Sequence, residues 1–436
     1  MNSEGNISVN VMITKAHTKQ TIRRDYPSHG QEPEYAELLL GEMDELGDTS
    51  AVFEGQTINV AGGIPGERVI ARIHRYRRRR QHRVSGIAQT VLTPSPDRVI
   101  PECGYYGACS GCQWQHISYP YQLDLKRQRI VREFARYESL SGVHVSETLP
   151  APTGFYYRNH ARFTVRRGGQ LGFSNRITRR FVRIDHCMLM SPAINNTVTE
   201  FQDRAGETTN MSVRVGVNTG DLLIQPTFQN PDIGVPSGQT HYRERMGHTD
   251  LRIASPSFFQ VNTAQAINLI DIVKTRLDLR SKDVLVDAYA GVGVFAILLA
   301  PFVSRAVAIE ESASAIQDGK YNAADLQNVE FVQLKTEEAL ADLVRICSLE
   351  AAPDAVILDP PRVGCHPAAL ESLVDLAPQR VAYVSCDPPS LARDLDILTR
   401  GGYSVSDVQP VDMFPQTYHV ESVTTLLRYD TETTED

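Results

Sequence analysis

The chain reads as a multidomain α/β protein ending in a Rossmann-like, doubly wound sheet, and three observations lead there. Beyond residue 255, short apolar segments at 284–287, 306–310, 329–332, 355–359 and 381–385 alternate with helix-forming stretches. That order builds a mostly parallel sheet with helices on both faces. Between the first segment and its helix lies Asp287-Ala288-Tyr289-Ala290-Gly291-Val292-Gly293, whose glycines allow a sharp turn and a close approach to a ligand. Upstream, residues 35–92 run as short β-type stretches between Gly and Pro turns, the pattern of a small β-barrel of the oligonucleotide-binding kind.

Length divides the rest. At 436 residues the chain exceeds one ordinary core, so two or three domains are expected. The expected boundaries are a disordered tail at 1–33, a barrel at 34–94, a central α+β domain at 95–255, a catalytic domain at 256–429 and an acidic tail at 430–436. The longest apolar run, 292–303, is interrupted by Pro301 and falls short of the roughly 20 residues a bilayer requires. The polar N-terminus shows no signal-peptide pattern, so a cytoplasmic protein with no membrane partner is expected.

A net charge of −8 argues against indiscriminate binding to polyanions, but the average hides two basic districts. Residues 68–96 contain eight arginines and no acid; residues 158–183 contain another eight, again with no acid, interleaved with Phe163, Phe173 and Phe181. Arginine suits bidentate phosphate contact and stacking on bases. Two such runs in an acidic protein point to nucleic acid.

The chemistry-bearing residues cluster at strand ends. Segment 380–385 reads as a buried strand that Pro388 and Pro389 stop, which leaves Cys386 at its edge. A lone cysteine in an apolar strand is more often a packing residue. Glu421, in a second apolar strand near the C-terminus, supplies a proton acceptor that changes that balance. Asp359-Pro360-Pro361-Arg362 closes another strand with a rigid turn, fixing a carboxylate at the sheet's ligand edge. Glu310 ends the strand after the glycine turn, where an acid can bond ribose hydroxyls. No Lys-Ser/Thr follows the turn to cradle phosphates, so S-adenosylmethionine fits better than NAD or ATP.

Seven cysteines in a chain of this length do not form a disulfide framework. Cys103, Cys109 and Cys112 lie in one glycine-rich loop, and Cys187 is the natural fourth. Four thiolates hold a cubane cluster or a tetrahedral zinc, and spacing does not choose between them. A fourth ligand and the C-x5-C-x2-C spacing argue against a radical enzyme. Cys347 and Cys365 read as packing residues.

Taken together, these motifs resemble the RNA uracil-5 methyltransferases, in the branch with an N-terminal TRAM barrel and an iron–sulfur cluster. The likeness spans residues 35–428. It rests on Pro65-Gly66-Glu67, the four cysteines, Phe258-Phe259-Gln260-Val261-Asn262, the 287–293 turn, Asp359-Pro360-Pro361-Arg362, Ser385-Cys386 and Phe414-Pro415-Gln416-Thr417-Tyr418-His419-Val420-Glu421. The resemblance implies Cys386 as nucleophile and Glu421 as base. It implies S-adenosylmethionine contacts at Gln260, Tyr289, Glu310 and Asp359, and a [4Fe–4S] cluster, ahead of zinc, on Cys103, Cys109, Cys112 and Cys187. It implies an RNA partner, ribosomal ahead of transfer RNA, and no obligate protein partner. Ala290 and Asp387 depart from the family pattern, where Cys and Asn are frequent; Asp387 adds a negative charge that raises the neighbouring thiol's pKa. Two rivals are an amino-methyltransferase, which has no use for Cys386, and a cluster-based RNA-binding redox sensor, which leaves Cys386 and Glu421 without a role.

Overall fold

The computed structural model describes residues 33–78 and 81–429. The two expected tails, apart from residue 33, lie outside the described residues, as do Arg79 and Arg80 of the first arginine district. The chain forms two compact units. One runs to Gln122 and includes Gln416–Tyr418; the other holds Leu123–Pro415 and resumes at His419.

In the first unit, β1 (Tyr35–Leu39), β2 (Thr49–Phe53), β3 (Gln56–Ala61), β4 (Arg68–Arg78) and β5 (Gln81–Thr93) form one sheet in the order β1-β4-β5-β3-β2. Alternation along the strands buries Leu38, Ile58, Val60, Val69, Ala71 and Ile73 in a shared core. The Pro65-Gly66-Glu67 turn is locked by its own acid. Glu67 is buried, and its carboxylate accepts the Ile64 N–H (2.9 Å) and the Ser95 N–H (3.1 Å) and pairs with Arg98 (2.6 Å). Residue 416 joins this unit because its carbonyl accepts the Trp114 N–H (3.0 Å) and its side chain bonds Gln122 (3.0 Å).

The first arginine district is less basic than its run suggests. Arg75 donates to Glu34 and Glu54 at 2.9 Å each, and Arg68 pairs with Glu37. The acids missing from the local sequence arrive from other strands. The run remains free of acids in sequence, but at Arg68 and Arg75 the fold supplies them.

After α1 (Tyr119–Phe134), the second unit opens with β6 (His160–Arg166), β7 (Gln170–Ser174), β8 (Phe181–Arg183), α2 (Pro192–Phe201), β9 (Asn210–Val215) and β10 (Leu222–Gln225). These strands pair in the order β10-β9-β6-β7-β8. Phe163, Val165, Leu171, Met211 and Val213 face one side, against Ile194, Val198 and Phe201 of α2. The other side is polar and open, as half-covered antiparallel sheets commonly are. A hairpin of β11 (His241–Met246) and β12 (Thr249–Ala254) follows.

The large sheet begins after α3 (Thr263–Arg276). In chain order come β13 (Val284–Asp287), α4 (Val294–Leu299), β14 (Arg305–Glu310), α5 (Ala313–Asn322), β15 (Val329–Gln333), α6 (Thr336–Ala341), α7 (Leu343–Ile346), β16 (Ala355–Leu358), α8 (Pro367–Leu376), β17 (Arg380–Ser385), α9 (Pro388–Arg400), β18 (Tyr403–Val411) and β19 (Glu421–Arg428). The strand order is β15-β14-β13-β16-β17-β19-β18. The first five are mutually parallel, as expected. β19 inserts antiparallel between β17 and β18, and β18 was not anticipated. Apolar clusters cover both faces of the sheet, as a doubly wound fold requires. Among the described residues no helix is long and apolar enough to cross a membrane.

Candidate active site

β13 is flanked by β14 on one side and β16 on the other, so the connections diverge at its carboxyl end. That divergence opens the crevice where ligands bind in such sheets. Gly291 and Gly293 both adopt positive φ, +55° and +87°. A Cβ at Gly293 would lie 2.6 Å from the Phe331 ring, so this position excludes any side chain. Glu310 reaches across from β14: its carboxylate accepts the Gly291 N–H (2.9 Å) and the Ser312 N–H (2.8 Å). The acid expected to meet ribose hydroxyls thus also fixes the turn. The carbonyl of Gln260 is anchored by the Asn159 amide at 2.9 Å.

The antiparallel pairing of β17 with β19 sets Ser385 opposite Ser422. Cys386 follows the last paired residue of β17 and Glu421 precedes its partner on β19, and the Glu421 charge bears on the Cys386 thiol. Two residues 35 positions apart in the chain are thereby brought to the end of the sheet where β16 delivers Asp359. Past Cys386, Asp387 caps α9 by accepting the Ser390 N–H (3.1 Å), and the two prolines occupy the first helical turn. Arg362 joins the group, donating to His419 Nδ1 at 3.2 Å.

Burial dominates the electrostatics. It pushes the Cys386 thiol up to about 12, with Glu421 adding to the rise, Arg362 opposing it, and Asp359 and Asp387 contributing further. The effect expected of Asp387 is therefore present. Burial raises the Glu421 carboxyl well above its ordinary range, with Asp359 reinforcing and Arg362 opposing. Asp359 rises to about 7 through burial, and so does Asp287, to which Asp359 and Glu310 add. His419, buried beside Arg362, is pushed down to about 3 and stays neutral. In the ligand-free site burial thus favours the thiol form of Cys386 and the protonated form of Glu421.

This arrangement has a consequence for stability. Between the ordinary carboxyl values, 4.5 for Glu421 and 3.8 for Asp359, and their raised ones, the folded state binds protons that the unfolded chain has released. Stability from these groups is thus lost as pH rises through that window. Glu421→Gln removes one such group, so its melting temperature relative to wild type should be higher at pH 8 than at pH 5. An identical difference at both pH values would refute the buried, protonated carboxyl.

Sequence reasoning missed the tether of the 359–365 loop. Cys365 is buried, and its Sγ–H donates to the Tyr383 hydroxyl (3.7 Å), which donates to Asp394 Oδ2 (2.6 Å). The same carboxylate accepts the Cys365 N–H (2.8 Å), while Arg393 holds the Val363 carbonyl (2.8 Å). Tyr289 bonds Cys365 and Thr336. Cys365 is therefore a bonded link between the glycine turn and the Asp359 loop, in addition to packing. Asp394 sits within an ordinary amphipathic helix, and nothing in its neighbours signals this role.

The metal-ligand candidates divide between the units. Cys103, Cys109 and Cys112 belong to the first and Cys187 to the second. Cys103 receives backbone bonds from Tyr105 and Tyr106, and Cys109 from Gly111 (3.4 Å). Cys187 is framed by Asn195, which bonds both its N–H (2.8 Å) and its carbonyl (3.0 Å). Among the described residues, no three His, Cys, Asp or Glu side chains are grouped so as to hold a metal ion.

Known proteins share this architecture. A family model described as tRNA (Uracil-5-)-methyltransferase matches residues 241–429, the segment containing Gln260, the glycine turn, Cys386 and Glu421. An uncharacterized RNA methyltransferase of Synechocystis is 30% identical, over 90% of this chain and 95% of its own length. Another from Geobacter sulfurreducens is 30% identical over 95% and 94%. The tRNA (uracil-54, C5)-methyltransferase of Pyrococcus abyssi, solved with S-adenosyl-L-homocysteine, superposes with a TM-score of 0.67 at 25% identity, covering 90% of this chain and 99% of that one. The chain belongs to the RNA (uracil-5-)-methyltransferase family.

Proposed function

We propose that this enzyme uses S-adenosylmethionine to methylate C5 of a uridine in RNA through a covalent bond between Cys386 and uracil C6, with Glu421 as the base. The observation that supports this reading is the cross-strand register, which ends with Ser385 opposite Ser422, the chain neighbours of residues 386 and 421. Uracil C5 is too weak a nucleophile to take a methyl group unaided. Once Cys386 has lost its proton to solvent, addition of the thiolate to C6 pushes electrons through the ring to an enolate, and C5 then attacks the sulfonium methyl, releasing the thioether. Glu421 next removes the C5 proton, the C5–C6 double bond reforms, and the cysteine leaves. A base of this kind contributes about 10²–10⁴-fold.

The charge states support a site that is switched on by its ligands. An arriving sulfonium brings a positive charge toward carboxyls whose protonated form burial favours, and so shifts them toward ionisation. Arg362 acts in the same direction on both Cys386 and Glu421. The target base has to leave its stack for a thiolate to reach C6. Gln260, Tyr289, Glu310 and Asp359 are proposed to hold the cofactor.

Two substitutions separate nucleophile from base. With 5-fluorouridine RNA, wild type should give an irreversible protein–RNA adduct, and Cys386→Ala should give neither adduct nor methylation. With ordinary RNA, Glu421→Gln should accumulate the methylated adduct, visible as a shifted band on a denaturing gel. Normal turnover by Glu421→Gln without adduct would remove Glu421 from the base role.

For the RNA, we propose ribosomal RNA, on the resemblance of the N-terminal sheet to a TRAM barrel. The Pyrococcus relative is a transfer-RNA enzyme, so both RNAs need to be measured. Mass spectrometry of a deletion strain should show 5-methyluridine lost from ribosomal RNA; loss from transfer RNA alone would overturn the assignment.

Cys103, Cys109, Cys112 and Cys187 are proposed as ligands of a [4Fe–4S] cluster. The family resemblance supports a cluster ahead of zinc, and N–H donors on Cys103 and Cys109 suit thiolate ligation. The cluster would be structural; no catalytic step passes through it. Anaerobically purified protein should contain iron and acid-labile sulfide that Cys109→Ser loses. Wild-type protein containing zinc and no sulfide would refute the cluster.

A further inference from the structure

The open face of the β10-β9-β6-β7-β8 sheet gathers arginines that the fold does not neutralise. His160 lies opposite Arg214 across the β6–β9 pair, and Arg162 lies opposite Ser212. All four side chains share the face turned away from α2, since their neighbours Ala161, Phe163, Met211 and Val213 fill the core. His160 Nε2 meets Ser212 Oγ at 3.1 Å, and Arg158 Nε donates to the His160 carbonyl at 3.2 Å. Arg214 is fixed by the Ser257 carbonyl (2.6 Å) and by the Tyr242 hydroxyl.

Among the described residues, Arg158, Arg162 and Arg214 form no ion pair. Other arginines are neutralised by the fold: Arg75 by Glu34 and Glu54, Arg98 by Glu67, and Arg183 by Asp185 and Asp203. Burial and the charges of Arg214, Arg158 and Arg162 together push His160 down to about 4, so it offers no compensating charge of its own. Three like charges held around one neutral ring repel one another unless an anion joins them.

The cluster is also connected to the chemistry. Ser257, held by Arg214, precedes the Phe258–Asn262 stretch, and Asn159, beside Arg158 in the chain, anchors the Gln260 carbonyl. The charge of Arg158 reaches His419, which is bonded to Arg362 beside Cys386 and Glu421. Cations therefore line a path from the nucleophile onto the open sheet face. At the far end Arg166 stands over the Phe181 ring, 5.7 Å from its centroid, a surface suited to stacking a base.

We propose that Arg158, Arg162 and Arg214 form a phosphate seat that grips the RNA backbone next to the target uridine. This rests on the uracil-methyltransferase reading for its position and on the unpaired arginines for its ligand. Phosphodiester oxygens would accept from the guanidinium forks in the bidentate manner arginine favours.

The test measures binding of a labelled RNA hairpin by fluorescence anisotropy across a salt series, for wild type, Arg158→Gln, Arg162→Gln and Arg214→Gln. Each substitution should weaken binding and flatten the slope of log K against log[salt] by roughly 0.7–0.9 for each phosphate that is no longer neutralised. The loss should appear in KM, and saturating RNA should restore adduct formation on 5-fluorouridine RNA. Arg345→Gln in α7, whose guanidinium pairs with Asp342, should leave the slope unchanged. If Arg214→Gln fails to fold, the exposed Arg162 still decides the matter. Unchanged affinity and slope in Arg158→Gln and Arg162→Gln, with a wild type that forms the adduct, would overturn the seat and leave the catalytic reading intact. A flattened slope in an enzyme that forms no adduct would do the reverse.

Discussion

The site depends on one register. β19 runs antiparallel beside β17, and the pairing of Ser385 with Ser422 fixes where every later residue stands. A slip of one residue would turn each side chain of β19 to the opposite face of the sheet. Several interactions guard against that slip. Val384 and Val423 are paired and both lie in the apolar core, so displacement would bring polar neighbours inside. The segment that leads into β19 is held by the fully buried Lys126–Asp412 pair, with Lys126 also donating to the Phe414 carbonyl (3.1 Å). A buried pair of this kind is weak evidence for stability but good for fixing position, because either partner left alone is an uncompensated charge.

The same burial that fixes the geometry works against the chemistry. The proposed roles call for Cys386 as thiolate and Glu421 as carboxylate, yet burial favours both in their protonated forms. Water exclusion is useful only once charges are matched, and Arg362 is the cation that both residues feel. Its guanidinium is kept beside a neutral His419, which accepts from it without adding charge. A resting site of this sort protects a nucleophile from stray reaction, since a protonated thiol is a poor one.

Much of the site was legible because its signals are local. Glycines at a strand–helix turn, prolines after Asp359 and Cys386, and a cysteine at a strand's end each have a backbone reason visible in a few residues. What escaped is non-local. The acid-free run around Arg75 does not show its partners, since Glu34 and Glu54 lie 41 and 21 residues away. Arg214 lies outside both basic districts and joins Arg162 only through strand pairing. β18 was missed because Pro410 and three serines and aspartates weaken its pattern, while pairing along one full side of β19 sustains it.

Asp394 shows how such non-local residues tie the whole together. Its carboxylate bonds the Cys365 N–H and the Tyr383 hydroxyl, so α9, β17 and the loop carrying Asp359 and Arg362 share one anchor. Gly364 must lack a side chain there, since a Cβ would lie 2.5 Å from that carboxylate. Through Cys365 the network continues to Tyr289, beside the glycine turn. A shift of the turn on cofactor binding would therefore be felt at Asp359 and Arg362 through packed, directional bonds. Hydrogen bonds in a dry interior hold such geometry more firmly than solvent-exposed ones, because water is not there to replace a broken partner. The loop carrying Asp359 and Arg362 is thereby referenced to the same helix that Cys386 precedes, and the candidate site keeps its spacing as a unit.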